Sequence, residues 1–327
     1  MPKRLLDIVV THYQEPWQIV RPFFDVLNGQ KGVDFRQFKV YLVQDGPFPG
    51  LIPSGYLTDS PLQLETVVIP HKGVSAARNA GMDKADAEWI CFCDCDDSFA
   101  SIYSLRSIFG ILKDNPPYDM MWNKFYMNRL DKNDTVTYQD EYNHVWMHNK
   151  YYRLDFLRWH KIRFCEHLYM SEDSAFNNVV EMEINPMRIG TINTKEPLYA
   201  WVRRMGSVTT DPERYYKNVE GHFIRNKYVL GEYRKRHHKR AAFVCARTIT
   251  DAYSMLTKYP ENEESLRITK DVAKFYQKNK YQWRSVMKAA KQLSLEASEK
   301  EAGIPKGTDI PGRPTLQEWI NTRLKVM

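Results

Sequence analysis

The chain has 327 residues, more than a common domain of about 100 to 200 residues, so one large domain and a smaller one are expected. Its 43% hydrophobic and 27% charged residues are ordinary for a globular protein and exclude a disordered chain. The formal net charge is +7, and the basic residues that produce it are concentrated in the C-terminal third.

Strand and helix patterns alternate along the first hundred residues. The predicted elements are a buried strand at 5–11, a helix after Pro16 that Pro22 should kink, strands at 38–46 and 64–70, a helix at 74–85 and a strand at 88–94. This βαβ order indicates an α/β fold with a mainly parallel sheet. Ligands of such sheets lie beyond the carboxyl ends of the strands, where Thr11, Asp45 and the segment 94–97 fall. We therefore expect three strand ends to meet at one site.

Three aspartates, Asp94, Asp96 and Asp97, end the last of these strands. Carboxylates within a few ångströms repel one another unless a divalent cation lies between them. Mg²⁺ or Mn²⁺ held by one or two carboxylates keeps coordination positions open for phosphate oxygens, which suits a nucleotide-diphosphate substrate. The alternative for this segment alone is an acidic turn in which Asp97 or Ser98 caps a helix that starts near Ser101.

Cysteine spacing and the lengths of the apolar stretches bear on the compartment. Cys91, Cys93 and Cys95 alternate along one predicted strand, where neighbouring thiols on the same face make poor disulfide partners. We expect free thiols in a reducing compartment; zinc binding is the weaker alternative, because zinc sites usually recruit a second pair of ligands. The apolar stretch at 5–10 is far shorter than a bilayer span, and the N-terminus lacks the apolar core of a secretory signal. These features predict a cytoplasmic protein.

The C-terminal third shows helical periodicity without strand signals beyond Asp211, so we place a domain boundary near residue 215. Within it, residues 225–247 carry eight basic side chains and one acid. The plain interpretation of this run is a solvated helix face. The alternative is a contact surface for DNA or an anionic membrane, which would give the protein a peripheral position at the membrane.

Several segments resemble, in the same order, the glycosyltransferases of family 2, which have the GT-A fold. The segments of the nucleotide-sugar half are VVTHYQE (9–15), LVQDG (42–46), HKGVSAARNAG (71–81) and FCDCDD (92–97), and those of the acceptor half are WMHNKYYRLDFLRWHKIRF (146–164), SEDSAF (171–176) and PLYAWVRRMGSVT (197–209). The acceptor half resembles bacterial members that build surface polysaccharides. The resemblance implies a GT-A domain at 1–215, with a nucleotide-sugar half at 1–98 and an acceptor half at 99–215, followed by a helical domain at 216–327.

The resemblance implies a pocket for the donor base. Thr11 and Tyr13 would line it, the ring of Tyr13 offering a face to a pyrimidine. Asp45 would accept the uracil N–H, and Arg78 would reach the base or the diphosphate. One departure from the family pattern is Gln44, which stands where the family usually has a further aspartate before Asp45.

The resemblance also implies contacts with the rest of the donor. Asp94 matches the position that contacts ribose and diphosphate, Asp96 matches the metal ligand, and Asp94 is a second metal candidate. Asp97 would orient the donor sugar. The donor-binding candidates are Thr11, Tyr13, Glu15, Asp45, Arg78, Asp94, Asp97, Lys150, Arg203, Arg204 and Ser207, of which the last three resemble a mobile family segment near the diphosphate.

A catalytic base is expected on the acceptor side. Inverting glycosyl transfer needs a general base aimed at the acceptor hydroxyl. In SEDSAF, Ser171 as the N-cap would place Glu172 and Asp173 in a first helical turn, where the helix dipole favours carboxylates. Such acids are mostly structural when considered alone, but the family's acceptor-side Glu-Asp pair matches this position, so the resemblance implies that Asp173 is the base. His167 is a weak further candidate.

The sequence therefore predicts a metal-dependent inverting glycosyltransferase that uses Mn²⁺ or Mg²⁺ and a UDP-sugar donor. Its acceptor would be a hydroxyl of a surface glycan, of a lipid-linked precursor or of a polyanionic, teichoic-acid-like polymer. A glucosyltransferase for hydroxymethylated DNA, as encoded by viruses, is an alternative that the basic run permits. A non-catalytic GT-A-like interaction module is disfavoured by the intact Asp94, Asp96 and Asp173, and a nucleotidyltransferase is disfavoured by the Glu172-Asp173 pair.

Overall fold

The computed structural model describes residues 4–114, 116–130, 136–141, 145–202 and 214–326, with residues 129, 130 and 136–141 described by their backbone alone. The chain divides into two compact units. The first comprises Met1–His167 and Glu172–Ser207 and combines strands with helices. The second comprises Leu168–Ser171 and Val208–Met327 and is helical.

A central sheet organises the first unit. Its strands are β1 (Leu6–His12), β2 (Phe38–Asp45), β3 (Leu64–Ile69), β4 (Trp89–Asp94), β6 (Met120–Trp122), β9 (Lys150–Arg153) and β10 (Ile189–Thr191). In the part of the chain that the structure describes, these seven lie in the order β10-β6-β9-β4-β1-β2-β3. All neighbours pair in parallel except β9, which is antiparallel to β4 and β6. The predicted α/β fold with a mainly parallel sheet is confirmed.

The early strands are buried on both faces, and this explains their sequence pattern. Every residue of β1 is buried, and β2 and β4 are buried along nearly their whole length. A strand covered on both faces needs apolar side chains at consecutive positions rather than at alternate ones. The runs LLDIVVT and EWICFCD therefore predicted these strands to within one residue of the observed bounds.

A smaller sheet follows the carboxyl end of β4. It contains β5 (Ser98–Phe99), β7 (Phe125–Leu130), β8 (Val136–Glu141) and β11 (Tyr199–Trp201). Within the described residues its order is β5-β11-β7-β8, and β11 pairs with β5 in the antiparallel sense and with β7 in the parallel sense. This sheet brings segments from the acceptor half next to the aspartates that end β4.

Five helices of the first unit bear on the site: α1 (Trp17–Asn28), α2 (Val74–Lys84), α3 (Ser104–Leu112), α4 (Leu154–Trp159) and α5 (Glu172–Glu183). The helix expected after Pro16 is confirmed, with Pro16 itself at the N-cap position. Helix α3 begins later than expected. Its N-cap is Tyr103, so the alternative in which Asp97 or Ser98 caps a helix starting near Ser101 is wrong.

Helix α2 lies unusually close to β1. A Cβ atom added at Gly81 would stand 2.3 Å from Val9 Cγ1, so only glycine allows this separation between helix and strand. Arg78 lies on the same helix, one turn before Gly81, and is buried. The close packing therefore fixes the position of the Arg78 side chain at the edge of the sheet.

The second unit contains α6 (Tyr215–Lys235), α7 (Ala241–Leu256), α8 (Glu263–Ser285), α9 (Lys288–Glu301) and α10 (Leu316–Trp319), followed by a π-helical turn at Ile320–Leu324. Its apolar core includes Phe223, Ile249, Val272 and Trp319. Asn262 and Ser265 form a capping box that starts α8. Among the described residues, no helix combines the length and the apolar character that crossing a bilayer requires.

Candidate active site at the carboxyl ends of the strands

Arg78 is the centre of a buried ionic network at the end of β4. Its guanidinium donates to Asp94 Oδ1 at 2.9 Å and to Glu172 Oε1 at 2.8 Å. Thr11 Oγ1 donates to the same Asp94 oxygen at 3.0 Å. Burial alone would lower the pKa of Arg78, but the charges of Asp94, Glu172 and Asp173 outweigh it and raise the pKa above its ordinary value. The network therefore joins the ends of β1 and β4 to the first turn of α5.

Asp94 remains ionised and accessible within this network. Burial would raise the pKa of Asp94, but the Arg78 charge and the hydrogen bonds from Arg78 and Thr11 hold it below the usual value. The Asp94 side chain is still 37% exposed, so a ligand at the strand ends can reach it. Thr11 and Asp94 are thus brought together as the strand topology required, and Arg78, a donor contact that the family resemblance implied, joins them from α2.

Asp173 is a carboxyl group with a strongly raised pKa. It lies with Glu172 in the first turn of α5, as predicted, and its Oδ1 accepts from Ser174 N at 2.6 Å. Burial raises the pKa of Asp173 and the Glu172 charge adds to this, while Arg78 opposes it, and the result is about 7. A carboxyl group with a pKa near neutrality is ionised in a large fraction of the molecules at physiological pH and still holds a transferred proton well.

The two remaining aspartates of the cluster have different surroundings. Asp96 is partly exposed, whereas Asp97 is buried. Tyr199 Oη donates to Asp97 Oδ2 at 2.8 Å, and Val202 N donates to Asp97 Oδ1 at 3.0 Å. Burial raises the pKa of Asp97 well above its usual range, and the charges of Asp94 and Asp96 add to this. Asp97 ties the turn after β4 to β11, while its predicted contact with the donor sugar stays a prediction.

The aspartates at the end of β4 offer a small set of oxygen ligands. Among the described residues, no group of three or more His, Cys, Asp or Glu side chains is arranged to hold a metal ion. Asp94 and Asp96 can supply one or two carboxylates, which fits Mg²⁺ or Mn²⁺ completed by water and diphosphate oxygens. A closed zinc site would need four ligands. All five cysteines lie among the described residues, and none of them forms a disulfide.

Asp45 organises the loop between β3 and α2. Its buried carboxylate accepts from Lys72 N at 2.7 Å and from Gly73 N at 2.8 Å, and it lies 2.8 Å from His71 Nδ1. The His71 ring stacks on the exposed ring of Tyr13, with centroids 4.3 Å apart. The predicted contact of Asp45 with uracil stays a prediction. His71 was not a candidate in the sequence, although it opens the segment 71–81 that carries part of the family resemblance.

Glu15 holds the loop after β1 in place. Its Oε2 accepts from Tyr13 N at 2.7 Å and contacts Cys95 Sγ at 3.5 Å. His12 Nε2 lies 2.8 Å from the Glu15 carbonyl oxygen. The loop that carries Tyr13 is therefore linked to the turn after β4, and a direct donor contact for Glu15 remains a prediction.

A basic and aromatic cluster lies on the acceptor side. Lys150 is buried and donates to the Trp146 carbonyl; burial lowers the pKa of Lys150 to about 8, although the Asp173 charge opposes this. His148 stacks on Trp201 with centroids 4.8 Å apart, and its Nδ1 is 3.6 Å from a carboxylate oxygen of Asp97. Burial lowers the pKa of His148 to about 3, so its ring is neutral at physiological pH.

One residue near the site was not predicted from the sequence, and several predicted residues are not seen there. His148 was not predicted, although it lies in the segment 146–164 that carries part of the family resemblance. His167 is exposed. Arg203, Arg204 and Ser207 lie outside the described residues.

The sequence comparison decides the family. The model of glycosyl transferase family 2 matches residues 7–178, which is more than half of the chain. The chain belongs to glycosyl transferase family 2. It is therefore a glycosyltransferase, and the matched region contains the Arg78 network, the aspartates at the end of β4 and Asp173. Comparison of this glycosyltransferase with curated protein sequences gave no match.

Solved structures of S. aureus TarS share the fold of this glycosyltransferase. TarS 1-349 in complex with UDP aligns with a TM-score of 0.63 and 15% identity, covering 94% of this chain and 95% of that chain. The complex with UDP-GlcNAc gives a TM-score of 0.65 and 16% identity over 91% and 89% of the two chains. The mannosyltransferase PcManGT from Pyrobaculum calidifontis, in complex with GDP-Man and Mn²⁺, aligns with a TM-score of 0.50 and 11% identity. The alignment covers 93% of this chain and 87% of that chain. The TarS likeness extends into the helical unit, which the sequence resemblance had left unmatched.

Proposed function

We propose that this glycosyltransferase transfers a sugar, with inversion, from a UDP-linked donor to a hydroxyl group of a surface glycan, its precursor or a polyanionic polymer. The observation that carries the proposal is the position of Asp173. Its carboxyl group, with a pKa of about 7, follows Glu172, which Arg78 links to Asp94 at the strand ends. A single displacement at the anomeric carbon requires a base for the acceptor hydroxyl and, close to it, groups that bind the leaving diphosphate. Asp173 and the strand ends around Asp94 are proposed to supply them.

Asp173 and Arg78 have complementary parts in the proposed reaction. Asp173 takes the proton of the acceptor hydroxyl as that oxygen attacks. Arg78, whose charge lies between two carboxylates, orients Asp94 and Glu172 and offsets the negative charge that the diphosphate brings. Lys150, with a pKa lowered to about 8 by burial, adds a second cation near Asp173. The segment with Arg203, Arg204 and Ser207 is proposed to contact the diphosphate, as in the family.

The proposed donor is UDP-linked because the base pocket offers a flat aromatic surface. The exposed Tyr13 ring lies on the His71 ring, and Thr11 and Asp45 lie at the adjoining strand ends. An aromatic face of this size suits a pyrimidine. The TarS structures of similar fold contain UDP and UDP-GlcNAc, which supports the same donor class here.

We propose Asp96, with Asp94, as the ligands of Mn²⁺ or Mg²⁺. A divalent cation held there would neutralise the charge that develops on the leaving diphosphate. The Mn²⁺ in the PcManGT complex supports the use of a divalent ion in this fold. The catalytic part is proposed to be residues 1–215, with residues 216–327 as a helical accessory domain.

A titration with UDP tests the metal and donor assignments together. Asp96→Ala should weaken UDP binding in Mn²⁺ or Mg²⁺ and abolish the effect of EDTA, as measured by calorimetry. Asp59→Ala removes an exposed carboxylate between β2 and β3 and is the matched control, which should bind like the parent. Equal UDP affinity and equal EDTA response in Asp96→Ala would refute the metal assignment. A panel of nucleotide sugars, with mass spectrometry of the products, then identifies the sugar.

A further inference from the structure

The helical unit contains two long segments without acidic residues. Residues 233–250 and 272–295 hold twelve lysines and arginines and no Asp or Glu. The other 35 basic residues of the chain face all 40 acids, so the rest of the protein is net negative. The net charge of +7 therefore originates in these two segments alone.

The fold brings the two segments together. Arg234, near the end of α6, donates to the side chains of Asn279 and Gln282 on α8. Cys245, near the beginning of α7, approaches the Asn279 carbonyl at 3.9 Å. The end of α6, the beginning of α7 and the C-terminal half of α8 therefore meet. We call residues 233–250 and 272–295 together the basic end of the helical unit.

Much of this positive charge faces solvent. The exposed cations of the basic end include Lys235, Lys239, Arg240, Lys278, Lys280, Arg284 and Lys288. The acids that border the two segments are already engaged: Glu232 pairs with Lys235 and Arg236, Asp251 with Arg247, Asp271 with Lys274 and Glu296 with Lys306. The acids in the first turn of α8, Glu263 and Glu264, lie at the other end of that 23-residue helix. The bordering acids offset the cations nearest to them, and the remaining positive charge lies at Lys239 and Arg240 and along the C-terminal half of α8.

Large apolar side chains are exposed in the same segments. Phe243 is 40% exposed, Leu293 65%, Met287 75% and Tyr281 81%. A charged polymer in water could stack on the aromatic rings but would leave Met287 and Leu293 in contact with solvent. The headgroup region of a bilayer takes up both kinds of side chain, because apolar groups enter the acyl boundary while lysines and arginines contact anionic headgroups.

We propose that the basic end docks on the surface of an anionic lipid bilayer. Lysines and arginines of α6 and α8 contact the headgroups, and Tyr281 and Met287 insert at headgroup depth. No part of the binding depends on the donor, the metal or Asp173. A failure of the proposed glycosyl transfer would therefore leave this inference standing, and the reverse also holds.

Vesicle flotation of the full chain tests the proposal. The protein should float with vesicles of phosphatidylcholine and phosphatidylglycerol, but not with phosphatidylcholine alone, and binding should weaken as salt is added. Replacing Lys278, Lys280 and Arg284 by Gln should weaken binding by about fivefold per residue, on the order of 100-fold together. Tyr281→Ser with Met287→Ser, which leaves the charge unchanged, should weaken it on the order of tenfold.

A matched control removes the same charge elsewhere. Lys31, Lys161 and Lys195 are exposed and belong to the first unit, so their replacement by Gln should reduce vesicle binding by much less. All variants should keep the parent Tm, since the changed side chains are exposed. The proposal is overturned if no vesicle binding occurs, or if the Tyr281 and Met287 substitutions have no effect. It is also overturned if duplex DNA or a teichoic-acid-like polymer binds as tightly as the vesicles, because the surface would then recognise phosphate chains in general.

Discussion

Asp173→Asn keeps the size of the side chain but removes the group that takes up a proton. If Asp173 is the general base, kcat should fall by roughly 10²- to 10⁴-fold. UDP affinity should stay within about threefold, because the donor contacts at the strand ends remain in place. The pKa of about 7 also predicts that the kcat of the parent rises with pH and levels off above pH 7, as Asp173 becomes ionised.

The raised pKa of Asp173 should also make the free energy of unfolding depend on pH. The ordinary pKa of an aspartate is 3.8, and that of Asp173 in the folded protein is about 7, so the folded state holds the proton more tightly than the unfolded chain does. Its contribution to the free energy of unfolding is therefore fully present below pH 4 and is lost as the pH rises through 7. The difference of about three pKa units sets an upper limit of about 4 kcal/mol. Because Asn does not ionise, Asp173→Asn should be more stable than the parent at pH 8 and equally stable near pH 4.

Steady-state kinetics with a donor identified by the panel, together with urea unfolding at both pH values, provides the measurement. Asp155→Asn is the matched control, since Asp155 is an exposed acid in the first turn of α4. Its kcat and its pH profile should equal those of the parent. Full turnover in Asp173→Asn would refute the base assignment. A loss of stability at pH 8 would refute the argument from burial, and an α-linked product from an α-linked donor would exclude single-step inversion.

Three further substitutions test the frame of the site. Arg78→Lys keeps the charge, but a lysine cannot bridge the two carboxylates of Asp94 and Glu172. The free energy of unfolding in urea should therefore fall by about 2 kcal/mol, and kcat/KM should fall at least tenfold. Gly81→Ala should destabilise the protein by about 1 to 3 kcal/mol because the new Cβ would meet Val9 at 2.3 Å, whereas Gly110→Ala, with nothing within 4 Å, should be neutral or stabilising. Asp97→Asn should keep UDP affinity and turnover within about threefold if Asp97 serves the local structure; a turnover loss with an unchanged Tm would instead support a contact with the donor sugar.

The sequence by itself determined the elements and the family of this protein. Three strands of the nucleotide-sugar half, β1, β2 and β4, are largely apolar runs because both of their faces are covered, whereas the edge strand β3 is partly exposed. The strand order then required that residues at the ends of β1, β2 and β4 lie along one edge of the sheet. The proximity of Thr11 and Asp94 could therefore be predicted without any side-chain geometry.

Only the tertiary structure decided what each polar group contacts. Arg78 and Glu172 are 94 residues apart, and their ion pair depends on how closely α2 packs on β1 and where α5 begins. Asp97 belongs to the same acidic cluster as Asp94 but is satisfied by groups on and beside β11, which lie about a hundred residues later in the chain. The two acid-free segments meet only because α6 and α8 are neighbours in the helical unit. Local sequence patterns determine periodicity and burial, whereas such contacts depend on packing between segments that are distant in the chain.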